Sequence, residues 1–442
     1  MTVKDVRGHN LSGANDASAE LYGKTLRQLN LYQGDPVATI DAALAESPGF
    51  VMAHAMRAWL HLLGTEPAGV PVAKASLDAA LDLPATLQEH GHLAAIGELA
   101  NGGWHAASRT LEDVTIDHPL DLLALQVGHQ IDFFTGNARM LRDRISRALP
   151  AWSKAVPGYH NVLGMHAFGL EEMGQYAQAE ASGRAAVEHD AHDAWAQHAV
   201  AHVLEMQGRQ HDGIGWMTAN TAAWSNENFF AVHNWWHLAL YHLDLGATDE
   251  VLKLFDGPIY GARSQVIMDM VDASALLWRL HLRGVDVGDR WQQVAAAWEP
   301  VADAGLYAFN DAHAMMAFVG AGRRDLMQRV LDAQATAMER PGDNAAFTRD
   351  VGQPLARSIE AFGNGHYAEA VRLIRPVRGI AARFGGSHAQ RDVFDLTLVE
   401  AALRSGQLEL ARALSAERIH AKPESPLARL FARRAGLELI AA

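Results

Sequence analysis

Apolar positions along this chain recur at helical spacing, and glycines punctuate them. In "EEMGQYAQAEASGRAAVEHD" Gly174 closes one amphipathic helix, Tyr176 follows in the turn, and a second helix carries the small residues Ala179 and Ala186. The segment "AFGNGHYAEAVRLIRPV" repeats the arrangement with Gly365, Tyr367, Ala370 and Val377. "LRSGQLELARAL" and "FFTGNARMLRDRI" repeat it around Gly406 and Gly136. A glycine at a helix end takes a left-handed conformation that costs other residues energy. Small residues after it let the second helix lie close to the first.

Aligned on that glycine, the chain becomes a ladder: Gly34, Gly64, Gly103, Gly136, Gly174, Gly208, Gly246, Gly284, Gly322, Gly365 and Gly406. Most steps lie near the roughly 34-residue period of tetratricopeptide helix pairs. Alternating β-branched runs joined by Asn-Gly or Asp-Gly turns are absent. Prolines such as Pro36, Pro48, Pro84, Pro119 and Pro423 sit at boundaries, and Asp190 or Asp193 precedes Trp195 as a cap. A helix pair has an apolar face it buries only by stacking on its neighbours. The expected fold is therefore all-α: one superhelical solenoid of about ten to eleven tetratricopeptide-like helix–turn–helix pairs over residues 1–442, with 1–18 a loosely ordered, polar, Gly/Asn-rich lead.

Composition narrows the function classes. The net charge of -14 disfavours nucleic acid and anionic membrane surfaces as partners. The absence of cysteine removes disulfides, thiolate metal sites and cysteine nucleophiles. No apolar run reads as a signal peptide or a membrane span, so a cytoplasmic location is expected. The 23 histidines and 11 tryptophans are concentrated in helical segments.

Several of those segments carry a resemblance. "MHAFGLEEMGQYAQAE", "DAWAQHAVAHVLEMQGR", "HNWWHLALYHLDLG", "ALLWRLHLRG", "FNDAHAMMAF" and "GGSHAQRDVF" resemble the tetratricopeptide repeat protein 38 family over nearly the whole chain. The resemblance implies an all-α repeat fold and supplies no activity or residue set. Several positions that hold Leu or an aromatic in the minimal repeat pattern hold His or Gln here.

In a tetratricopeptide register counted from Gly208, Trp195, His198, His202 and Glu205 fall on the concave wall. Two imidazoles at i and i+4 share one helical face, so His198 and His202 are candidate metal ligands with Glu205 as third ligand or base. Counted from Gly246, His233 and Trp236 face inward with His237 one turn on, and Trp235 takes the core aromatic position. His160, His166 and Glu171 lie on successive turns of the preceding pair. His313 follows in "FNDAHAMM". His388 and Arg391 stand in "GGSHAQRD", where Gly-Gly-Ser before a helix offers N–H groups to an anion and Arg391 offers a clamp.

The leading reading is a pocket binding a small polar or anionic molecule. Its lining would be His160, His166, Glu171, Trp195, Trp236, His313, His388 and Arg391. His198, His202, Glu205, His233 and His237 would supply acid–base or metal-assisted chemistry of hydrolase or lyase type, with a divalent metal such as zinc as cofactor. The alternative is a scaffold taking a partner peptide in a concave groove. Ends of such arrays often pair, which makes a homodimer one expected state.

Overall fold

A computed structural model describes residues 3–437. Among the described residues the regular structure is helical, and pairing of extended backbone is limited to two isolated bridges, Lys4–Asn10 and Gln33–Asn228. Consecutive helices pack in pairs, and pairs pack on the next in sequence. The all-α helical-repeat class expected from the glycine ladder is the one the chain adopts. No described helix is long and apolar enough to cross a membrane.

The local chemistry of one repeat explains the others. Gly174 ends Tyr159–Glu172 with φ +73°, and a Cβ there would meet nothing within 4 Å. That glycine is required by its backbone conformation alone. Gly183, inside Tyr176–His189, is required by contact: a Cβ would come 2.6 Å from Val200 Cγ2 and 3.4 Å from Ala167 Cβ. Ala179 and Ala186, on the same stripe, are fully buried. The ladder holds at nine of its eleven rungs. At the other two the left-handed residue is a neighbour, Thr65 (φ 54°) beside Gly64 and Gly102 (φ 88°) beside Gly103.

The contacts divide the chain into two compact units. The first comprises residues 1–200, 221–231 and 341–343; the second comprises 201–220, 232–340 and 344–442. The division falls inside the helix Ala194–Met206.

In the first unit, the segment expected to be loose is tied down. The Ser12 amide donates to Glu89 Oε1 at 2.8 Å, Asn15 and Ser18 form a capping box, and Leu11 is buried. Its polar residues serve as turn and cap partners of the packed helices. Aromatic rings fill the unit's later part: Trp195 lies 5.0 Å from Phe168, 5.4 Å from Phe230 and 6.0 Å from Tyr32. A buried ion pair also sits here. Arg144 Nε donates to Asp132 Oδ2 at 2.8 Å, its Nη2 donates to the Ser108 carbonyl at 3.0 Å, and both charged side chains are fully buried.

In the second unit, Ile267–Leu282 is nearly all buried and packs against Ala308–Gly320 and His388–Arg404. Trp278 donates to Thr397 Oγ1 at 2.9 Å across that contact. Tyr241, on Ala231–Asp244, donates to the Ala201 carbonyl at 2.6 Å. These helices hold the side chains described next.

Candidate functional site

Three imidazoles meet in the second unit. His233 and His237 are one turn apart on Ala231–Asp244, so they share a face. His202 comes from Ala194–Met206. The His202 and His237 rings are 4.4 Å apart between centroids, and His233 and His237 are 4.9 Å apart and perpendicular. The ligand atoms of the three lie within 4.8 Å of one another. His202 and His237 are fully buried; the His233 side chain is 13% exposed, and is the ring that reaches toward solvent.

A carboxylate stands behind each ring of the Ala231–Asp244 pair. His233 Nδ1 lies 2.8 Å from Asp272 Oδ2, and His237 Nδ1 lies 3.1 Å from Glu205 Oε2. A carboxylate only accepts, so each Nδ1 carries its proton and donates. In a neutral ring that tautomer puts the lone pair on Nε2, where it can serve as a base or a ligand. Burial first, then the neighbouring His237 ring, pushes the His202 pKa well below that of an ordinary imidazole. Burial, followed by His233 and Arg279, does the same for His237.

Sequence spacing assigned Glu205 as a third ligand beside His198 and His202. In the structure it is the hydrogen-bond partner of His237, and its other oxygen lies 3.8 Å from Lys422 Nζ. Of the two tryptophans, Trp236 is the more deeply buried. Trp236 is fully buried, stacked at 5.3 Å on His233, with the Arg279 guanidinium 5.1 Å from its ring centroid. Trp235 is only half-buried. Trp236 is at i+3 from His233, on the face that packs inward, and Trp235 is rotated off it.

Beside this cluster lies a cleft of ≈ 480 Å³. Met206 and Lys422 belong to its lining and connect it to Glu205, and His388 and Arg391 also line it. Its floor includes Leu355, Ile374 and Phe394. Arg418 makes a two-pronged pair with Asp392 at 2.6 and 3.1 Å. Burial opposes ionisation of Asp392, but Arg418 overcomes it and holds the carboxyl below its usual range. Arg378 pairs with Asp395 and Glu417 at 2.6 Å each in the cleft lining. The N–H groups expected to await an anion near His388 are partly engaged. Ser387 and Gln390 form a reciprocal capping box, and Arg391 donates to the Gly386 carbonyl.

His313 is fully buried, its Nδ1 2.8 Å from the Phe309 carbonyl and its ring 4.4 Å from that of Phe309. Burial pushes its pKa down to about 4. In the first unit, His198 is stacked on Phe168 at 5.4 Å and packed against Trp195, both within the aromatic core. Glu171 is fully buried there, and His166 Nε2 lies 3.1 Å from Ser146 Oγ. His160 borders a separate cavity of ≈ 520 Å³ that also includes Arg7, Tyr22 and Arg27. Burial opposes its charged form, but Asp193, 2.7 Å from Nδ1, raises its pKa above the ordinary value.

Asp272, Arg279 and Lys422 went unmarked in the sequence. Asp272 lies 39 residues after His233, and Glu205 lies 32 before His237. Both separations are close to one repeat, which is the signal that could have found Asp272.

No family model matches the chain. Among solved structures it is similar to yeast Tom70, at 13% identity and TM-score 0.33, over 95% of this chain and 88% of that one. It is similar also to Naa15/Naa10 bound to HypK-THB, at 12% identity and TM-score 0.26, over 95% of this chain and 65% of that one. A third similarity is to the P58(IPK) TPR domain, at 16% identity and TM-score 0.20, over 89% of this chain and 98% of that one. At these scores the likeness says nothing of ligands, and the fold is read from the helix pairing itself.

Proposed function

We propose that this chain is a cytoplasmic binding scaffold of tetratricopeptide type, related to the tetratricopeptide repeat protein 38 family, that takes an acidic stretch of a partner peptide in the cleft of its second unit. The observation that carries this is the lining of the cleft. Arg378, Arg391, Arg418 and Lys422 outnumber Asp392, Asp395 and Glu417 four to three, with His388 beside them, in a chain of net charge -14. A locally basic, partly enclosed surface in an acidic protein steers a negative ligand to one place. Leu355, Ile374 and Phe394 give an apolar neighbour of that negative group a surface to cover.

A small anionic molecule in the same cleft is the second reading. Its support is size, because ≈ 480 Å³ lies inside the range of about 300–1,000 Å³ usual for small-molecule sites.

The test is fluorescence anisotropy with labelled peptides carrying Asp/Glu next to an apolar residue, against the same peptides with Lys in place of the acids. Selective binding of the acidic set, weakened about tenfold or more by Lys422→Glu and by raised salt, is expected. Indifference to peptide charge ends the peptide reading. Calorimetry with small dicarboxylates and phosphate decides the second.

A further inference from the structure

The cluster of His202, His233 and His237 is not used by the proposed cleft chemistry. We propose that these three imidazoles bind one divalent transition-metal ion of zinc type, with Asp272 and Glu205 as the carboxylates that orient its ligands.

Geometry is the first support. Three atoms no more than 4.8 Å apart pairwise share a point that lies about 2.8 Å or less from each. Zinc–imidazole bonds are about 2.0–2.1 Å, so each ring nitrogen must move inward by about 0.8 Å at most. A small change in χ1 and χ2 at each histidine covers that distance, with no demand on the helices.

The second support is the orientation of the rings. Metal-bound histidines commonly donate their other ring N–H to a carboxylate, which fixes the tautomer and raises ligand basicity. His233 has that partner in Asp272 at 2.8 Å, and His237 has it in Glu205 at 3.1 Å. In both, Nδ1 is committed to the carboxylate, so a ligand bond would be made through Nε2. Two such pairs, with both rings on Ala231–Asp244 and their carboxylates on two other helices, converging with a third imidazole, are more than a shared burial of polar rings requires. At His313 the partner of Nδ1 is a backbone carbonyl instead of a carboxylate.

The donor set selects the class of ion. Three neutral nitrogens suit zinc, cobalt, nickel or copper and are a poor match for magnesium or calcium, which take oxygen. His233, the least buried of the three, marks the side from which an ion enters.

The test uses the full chain, stripped with a chelator and titrated with cobalt(II) and with zinc. One equivalent of cobalt, with the intense visible absorption of a tetrahedral ion that zinc then displaces, is expected. His233→Ala removes the signal. Because buried-ring variants can misfold, Asp272→Asn is the second arm. It keeps the ring, shortens nothing, and is expected to weaken the ion about 10- to 100-fold while circular dichroism and the melt in chelator stay unchanged. Absence of a stoichiometric tetrahedral cobalt signal in the folded wild-type chain overturns the proposal. So does an equally strong signal in folded His233→Ala, which would place the ion on other histidines. Neither outcome bears on peptide binding in the cleft.

Discussion

Asp311 is a carboxyl group buried where it is costly to ionise, and replacing it with Asn should stabilise the protein in a pH-dependent way. It lies in the first turn of Ala308–Gly320 and is 8% exposed. A helix N-terminus favours an anion. Burial outweighs that here, and with only the Gln334 amide opposing, it raises the pKa from 3.8 to about 7. No charged side chain contributes to that shift. The folded state therefore holds the proton more tightly than the unfolded state does. Its stability is intact below pH 3.8, falls as pH rises from there, and levels off above about 7.

Each pKa unit is worth about 1.4 kcal/mol, so the full penalty at pH 8 is about 4 kcal/mol. Somewhat under half of it is already present at pH 5. Asp311→Asn removes the titration and keeps the shape. The stability gap between variant and wild type should widen by about 3 kcal/mol between pH 5 and pH 8. Urea denaturation of both proteins at pH 5, 6, 7 and 8, followed by tryptophan fluorescence, measures it. A gap that is flat with pH, or that narrows as pH rises, refutes the reasoning: Asp311 would then be solvated or paired in the native state.

Three further outcomes are expected. His160 has its pKa raised by Asp193 despite burial, so its contribution is present below about pH 6.5 and lost as pH rises through the folded value. His160→Gln should cost about 1–2 kcal/mol at pH 6 and much less at pH 9 in the same denaturation assay. Arg144→Met leaves Asp132 buried without its guanidinium partner and should cost about 3–5 kcal/mol, and adding Asp132→Leu should restore most of the loss, read as the change in melting temperature. Gly174→Ala strains a left-handed turn in open space and should cost about 1 kcal/mol, while Gly183→Ala drives a Cβ into Val200 and should cost more, about 1–3 kcal/mol.

The parts of the fold legible in the sequence are those decided within one turn of chain. A left-handed φ at a helix end demands glycine locally, so Gly174, Gly208, Gly246 and their equivalents declare the repeats without knowledge of any neighbour. The rule slips where another residue takes the strain, as Thr65 does beside Gly64. Residues 3–18 looked loose because their polarity was visible and their partners, such as Glu89, were 77 residues away. The same limit explains the site. Spacing on single helices nominated His202, His233 and His237, but it paired His202 with His198 and Glu205 because those are its neighbours in sequence. The structure adds partners across helices: His233 with Asp272, His237 with Glu205, His202 with His237. In a repeat protein the residue that faces a given side chain is one repeat away, so an i, i+4 pattern finds half of a constellation. The other half is a carboxylate or ring about 32 to 39 positions off, on the adjoining helix. Histidines with such a partner, and those such as His313 without one, separate along that line. The test at Asp272 is therefore a test of the pairing rule as much as of the ion.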